Sequence, residues 1–584
     1  VLGAFEQELA ESVNDKVRQQ LYRVSIRAVV IMQDDGARSQ RIEGLKSAMG
    51  VLSIPGYQAL KARHDFLKPY MQRYRAYMLH HRLISLRSSK ASILSASELA
   101  TMYHFPASVA HKTENVVTSH SRTLPATIDL KRHADNDELA VVLGQNSYHG
   151  SLTNIGLTSA ERERHLYVVG GTGNGKTTML EYSIVQDIQN GKGVAVIDPH
   201  GDMAKKLLKY IPADRIDDVI YLNPQDADYP IGINLLEVPS NLSGSELEME
   251  KDRVTEAVVS VLRKLFSEND TGGHRIEYVL RNTIHTAMTV EDATIFTILR
   301  LLTESAYRKK VIRTLEDDDL KTFWKEELGK AGEMQRVKMS SGVTNKIGRF
   351  RRSVAAERIL SQPKSTIDFD DIINSGKILI CNLSKRMGED TSSMFGTALL
   401  AKLQIAAWRR EEMEPEDRRP FYVYVDEFQN FATMPFLEML SESRKYRLFM
   451  TMAEQSTAQQ EKQQMVETIL ANVGAIVCFR SGSPADERYM LPFFTPYIDE
   501  GEIYSLPAYN FYIRIAGVNP QEPMSGQTIV LEGGNKEAAE KVRDASRANY
   551  ATKYVPKPKS PKSPRSGGKS KEEPDASPKL PEDE

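Results

Sequence analysis

The stretch VVGGTGNGKTTML, residues 168–180, decides how the rest of the chain reads. Gly170, four intervening residues and then Gly175-Lys176-Thr177 form the complete pattern of a phosphate-binding loop. An apolar run, HLYVVG (165–170), precedes it and a helical pattern follows, which is the context such a loop requires. Gly170, Gly171, Thr172, Gly173, Asn174 and Gly175 would turn backbone N–H groups inward around phosphate oxygens. The helix that starts near Lys176 would add the partial positive charge of its N-terminus. Lys176 would reach the outer phosphates and Thr177 a Mg²⁺ ion, with Thr178 completing the cradle.

Working outward, the next apolar runs are GVAVID (193–198), DVIYLN (218–223), KILICNL (377–383), FYVYVD (421–426), RLFMTMA (447–453) and AIVCFR (475–480). Short continuous apolar runs, separated by helical patterns, predict a parallel sheet covered on both faces. FYVYVDEFQNF (421–431) delivers Asp426 and Glu427 at a strand end, where open α/β sheets bind ligands. Asp426 suits a Mg²⁺ ligand and Glu427 a base that activates water. In VIDPHGDM (196–203), Asp198 and His200 read either as neighbours of the nucleotide or as part of a turn made by Pro199 and Gly201. In SESRKYRLFMTMAEQS (441–456), Gln455 ends a strand and suits a γ-phosphate sensor. Arg444 and Lys445 read either as a solvated helix end or, for Arg444, as an arginine finger serving a neighbouring subunit.

Between 240 and 365 the alternation stops. The pattern is helical throughout, as in RVTEAVVSVLRKLF (253–266), and predicts an all-α insert. Within it TNKIGRFRRSVAAER (344–358) gathers Lys346, Arg349, Arg351, Arg352 and Arg358, a candidate contact for nucleic-acid phosphates. AYRKKVIR (306–313) is a second basic stretch, and a nearby acidic run at 316–319 is compatible with plain solvated faces instead. Residues 1–150 read as a separate small α+β domain, with a strand over 21–32, a helix over 38–52 and a capped helix over 93–106 with Ser95 as N-cap. The sequence after Pro556 is Pro-, Ser- and Lys-rich with almost no apolar side chains, which predicts a disordered tail. The expected division is therefore 1–150, 151–239, 240–365, 366–545 and 546–584.

Composition excludes several classes. The 584 residues carry a net charge of −2, so the chain as a whole is not a basic nucleic-acid binder, although a local patch remains compatible. Its two cysteines, Cys381 and Cys478, cannot build a disulfide framework, and both sit in apolar runs. No apolar run approaches the ~20 residues that span a bilayer. The chain starts at Val1 rather than Met, which leaves room for an upstream segment, a membrane anchor included.

The motifs RHLYVVGGTGNGKTTML, AVIDPHGD, YPIGINLLE, VYVDEFQNFAT, LSESRKYRLFMTMAEQ and ILANVGAIVCFRSG, in this order over about 164–482, resemble the HerA–FtsK superfamily of ring ATPases. Within it they are most similar to type IV secretion coupling proteins of the TraG/TraD kind. The resemblance implies a RecA-like motor using ATP and Mg²⁺, a homo-hexamer, and movement of DNA, single- or double-stranded, without sequence specificity. It also implies channel or relaxosome partners and a place at the cytoplasmic face of the inner membrane. It carries Lys176 and Thr177 over to nucleotide binding, Asp426 and Glu427 to Mg²⁺ and hydrolysis, Gln455 to sensing and Arg444 to the finger, with Arg480 as a second arginine candidate. Membrane-bound coupling proteins carry N-terminal transmembrane helices, and this chain shows none. A HerA-like DNA-processing helicase, a secretion-apparatus assembly ATPase and, in another class, an ATP-gated adaptor that recruits relaxosome or protein substrates are the alternatives.

Overall fold

The computed structural model describes residues 121–264, 273–330, 333–457 and 463–555, together with parts of 3–102. The chain divides into two compact units, Val1–Thr118 and Ser119–Glu584. The first holds a helix over Ala4–Arg18 and strand β1 (Leu21–Val24), paired antiparallel with β2 (Ser92–Ser95). Further helices span Asp35–Gly50, Pro69–His80 and Ala96–Met102. Ser95 caps the last of these: its hydroxyl accepts from Glu98 N–H at 3.3 Å, and its own N–H donates to the Glu98 carboxylate at 2.8 Å.

The second unit is built on an eleven-stranded sheet. Its strands are β3 (Leu139–Tyr148), β4 (Ser151–Thr158), β5 (Leu166–Val169), β6 (Gly193–Asp198), β7 (Val219–Leu222), β8 (Ile378–Asn382), β9 (Phe421–Val425), β10 (Leu448–Glu454), β11 (Ala475–Phe479), β12 (Asn510–Ile515) and β13 (Met524–Gln527). They lie in the order β4-β3-β13-β12-β11-β5-β10-β9-β6-β8-β7. From β11 to β7 every pair is parallel, and these are the strands expected from the apolar runs. From β11 to β4 every pair is antiparallel, an extension that the apolar runs did not announce. The hairpin β3–β4 straddles residue 150, so the chain does not divide where the sequence placed the first domain's end. The division falls at 118/119 because that hairpin is hydrogen-bonded into the large sheet.

Alternation along each parallel strand fills two cores. In β5, Leu166 and Val168 enter one, Tyr167 and Val169 the other; Val194 and Val196 of β6 likewise separate from Ala195 and Ile197. The first core is closed by the helix Lys176–Gln189 and the C-terminal helix Lys536–Tyr550. The second is closed by the helix Glu389–Arg409 and by the helical insert. That insert runs from the helix Gly244–Lys264 to Val354–Leu360, and among the described residues no strand lies between Leu222 and Ile378. Fully burying one aliphatic side chain stabilises by about 1.5–3 kcal/mol, so Ile184→Ala, at a fully buried position, should cost about 2–5 kcal/mol. The outer edge, β7, is covered by the C-terminal helix, whose Ser546 hydroxyl accepts the Tyr221 N–H at 2.8 Å. Beyond that helix the backbone still docks, through Thr552 N–H to Pro230 O and Tyr554 N–H to Asp228 O. The expected tail after 556 lies outside the described residues.

Candidate active site

Register brings the motifs to one end of the sheet. Glu454 of β10 is level with Val169 of β5, and Val425 of β9 is level with both Met452 and Ile197 of β6. The residues at or just past the ends of these strands, Gly170, Gln455, Asp426 and Asp198, therefore emerge together at the C-terminal end.

The loop from Gly170 to Gly175 turns into the helix Lys176–Gln189. Gly175 has φ 108°, and a Cβ there would lie 3.0 Å from Tyr509 Cα, so a side chain is excluded on two counts. Lys176 is 5% exposed, and its ammonium donates to the carbonyls of Gly170 and Gly171 inside the loop. Burial pushes its pKa below the usual lysine range, against the charges of Glu427 and Asp426. Thr177 Oγ1 stands 3.4 Å from Asp426 Oδ2. A hydroxyl and a carboxylate at that spacing are hard oxygen donors suited to Mg²⁺. Burial, then the negative charges of Glu427 and Asp198, push the Asp426 carboxyl up to about 6. A cation at that spot would relieve the crowding, so these residues fit the metal and the phosphates that the sequence assigned to them.

Glu427 sits in a left-handed turn at φ 48°, a strained conformation for a non-glycine residue that costs of order 1–3 kcal/mol. Burial alone would raise its pKa. Contacts from His200 and Gln429 and the charge of Lys176 outweigh burial and hold it below the usual range, hence ionised. Gln429 Nε2 donates to Glu427 Oε2 at 2.6 Å, and His200 Nε2 lies 3.8 Å from Glu427 Oε1. The contact with Glu427 raises the His200 pKa. Asp198 serves the backbone instead. Its carboxylate accepts the N–H groups of His200 at 2.8 Å and Ala204 at 2.9 Å, fixing the DPHGD turn. Gly201, at φ 81°, must be glycine because a Cβ would collide with Asn382.

Gln455 donates to Thr172 Oγ1, tying the β10 end to the loop. Arg480 donates to Asn174 Oδ1 at 2.7 Å and its carbonyl accepts Gly171 N–H at 2.8 Å, so it is tied to the loop of its own chain. Arg444 is elsewhere. It precedes β10, whose seven residues at about 3.3 Å each separate it from the loop by roughly 20 Å. It is half-exposed and 3.9 Å from Glu163. Arg349, Arg351 and Arg352 are exposed and Lys346 half-buried on the helix Glu333–Arg352, with Arg349 paired to Asp390 at 2.5 Å. Arg358 is spent structurally, on Ala227 O, on Asp228 and over the Tyr554 ring. In the second basic stretch, Arg308 donates to Leu301 O and Leu302 O and is structural too. Sequence reasoning missed the Glu427–His200 contact and the approach of Tyr509 to the loop, since both depend on register across the sheet.

Sheet order, glycine loop and strand-end acid pair define a P-loop NTPase with a RecA-like core. Comparisons narrow this. Residues 147–403 match the family model "Helicase HerA, central domain", and residues 420–490 match "TraM recognition site of TraD and TraG". The resemblance to HerA-type and TraG/TraD-type ATPases thus holds over both halves of the ATPase core. No curated protein matches the chain in sequence. Among solved structures, plasmid coupling protein TrwB with ADP and Mg²⁺ aligns at TM-score 0.52 and 18% identity, over 71% of this chain and 96% of that one. The same protein with the ATP analogue ADPNP also gives 0.52 and 18%, over 71% and 95%. VirB4 of Thermoanaerobacter pseudethanolicus aligns at 0.46 and 15%, over 68% and 98%. At this identity the TrwB likeness establishes the fold. Among the described residues, no helix is long and apolar enough to cross a membrane.

Proposed function

We propose that the protein is an ATP-driven DNA translocase of the coupling type, working as a homo-hexamer at the cytoplasmic face of the membrane with relaxosome or secretion-channel partners. One observation carries the reading: a buried Lys176 and the Thr177–Asp426 pair share one strand-end site with an ionised Glu427, in a chain matching HerA-type and then TraG/TraD-type models. ATP is the substrate. Lys176 and the loop N–H groups bind its phosphates, and Thr177 and Asp426 hold Mg²⁺, which when bound neutralises phosphate charge. Glu427, held by Gln429 and His200, takes the proton of the attacking water. Gln455 reports the γ-phosphate to Thr172 and the loop. Arg444, remote from its own loop, is a finger for the neighbouring subunit. Lys346, Arg349, Arg351 and Arg352 meet DNA phosphates.

ATP hydrolysis measured with and without DNA tests this. DNA should stimulate turnover, and DNA binding should weaken steeply with salt. Neutralising Arg349, Arg351 and Arg352 together should flatten that dependence by a slope of up to about 3. No stimulation by any DNA would favour an adaptor instead, and an unchanged slope would remove the patch from the DNA path.

A further inference from the structure

The sheet order says which way a nucleotide must lie. On one side of the loop, β10, β9 and β6 end in Gln455, Asp426 with Glu427, and Asp198. On the proposed reading Gln455, Asp426 and Glu427 serve the γ-phosphate while Asp198 fixes the turn beside them, so the phosphate chain points toward that side. The nucleoside then extends to the other side, over β11 and β12. β12 returns antiparallel, with Phe511 level with Phe479, so Tyr509 enters the sheet at the same end as Arg480.

Tyr509 is fixed there with unusual firmness. Its N–H donates to Asn174 O of the loop at 2.8 Å, and its carbonyl accepts Thr528 N–H at 2.9 Å. Its φ is 65°, an outlier for an aromatic residue. Its Cδ1 lies 3.1 Å from where a Cβ of Gly175 would be, so the ring edge borders the loop. Yet the residue remains 45% exposed. Strained backbone that holds an open aromatic ring beside a phosphate loop is a feature that clusters at ligand contacts.

From this we infer that Tyr509 is a stacking platform for the base of the bound nucleoside triphosphate. The inference rests on the P-loop reading above and adds the nucleoside subsite to it. A π-face stacks on any base, so the platform accepts adenine and guanine alike.

The test compares ATP, GTP and inorganic tripolyphosphate, with Mg²⁺, by calorimetry on wild type, Tyr509→Phe and Tyr509→Gly. Glycine accepts the backbone angle and keeps the N–H to Asn174, so only the ring is lost. Tyr509→Gly should weaken ATP and GTP by roughly 5- to 100-fold. Tripolyphosphate should bind as to wild type, and Tyr509→Phe should behave as wild type toward all three. An equal loss for ATP and tripolyphosphate would overturn the inference, making Tyr509 a support of the loop, and so would no loss at all. A wild type that binds neither would overturn the phosphate site itself.

Discussion

The two ends of the parallel strands bury charge in opposite ways. At the N-terminal end arginines face carbonyls. Arg410 donates to Ile373 O and Tyr446 O, Arg418 to Lys445 O and Met413 O, and Arg215 to Lys192 O and Gly376 O. These carbonyls belong to the segments that turn into β8, β10, β9 and β6, where helix ends leave acceptors unused. Every one of these cations is spent on structure. At the C-terminal end acids face acids: Asp426, Glu427 and Asp198 share one corner, and Lys176 is the buried cation among them. One end is electrically finished. The other crowds acids round one lysine and offers an ionised base, and that imbalance is the ground for proposing it as the reactive end.

Arg444 is the largest challenge to this division, since it lies at the finished end. As a finger in trans it would act on a neighbour's reactive end, so Arg444→Ala should spare ATP binding and assembly but lower turnover by about 10³–10⁵. Mixing it with Lys176→Ala protein, itself inactive, should restore part of the activity. A mixture that recovers nothing, or an Arg444→Ala protein with full turnover, would return Arg444 to the structural end.

A smaller effect sharpens the structural side. His165 Nδ1 accepts Met450 N–H at 3.0 Å, leaving Nε2 to donate to Leu440 O at 3.0 Å. Burial lowers its pKa from 6.5 to about 4. The folded state thus refuses a proton that the unfolded chain takes below pH 6.5. The stability it supports is complete above pH 6.5 and falls as pH drops toward 4, by on the order of 3 kcal/mol. Urea unfolding at pH 8 and pH 4.5 should show a smaller acid loss in His165→Gln than in wild type. Equal losses would contradict a neutral, buried His165.

Local patterns carried the parallel strands and the loop, because continuous apolar runs and glycine spacing are properties of neighbours in sequence. The antiparallel extension carried no such signal. β13 is only MSGQ, and its Gly526 packs against the Phe511 ring where any side chain would clash. β3 contains Gly144, Gln145 and Asn146, and its apolar residues alternate irregularly around register shifts in its pairing with β4. Lys176, Thr177, Asp426 and Glu427 were readable as motifs. His200 against Glu427 and Tyr509 against Gly175 were not, since each joins segments that only the sheet makes adjacent. The basic helix was readable as charge, but its composition did not reveal that Arg358 is tied to Asp228 and Tyr554.

The reactive end is tested most directly at Glu427. Glu427→Gln keeps the size and the reach to Gln429 but cannot accept the proton of the attacking water. Nucleotide affinity and steady-state turnover should be measured on the same preparation. The account predicts ATP binding within a few-fold of wild type and turnover lower by about 10²–10⁴. Turnover at the wild-type rate would contradict it.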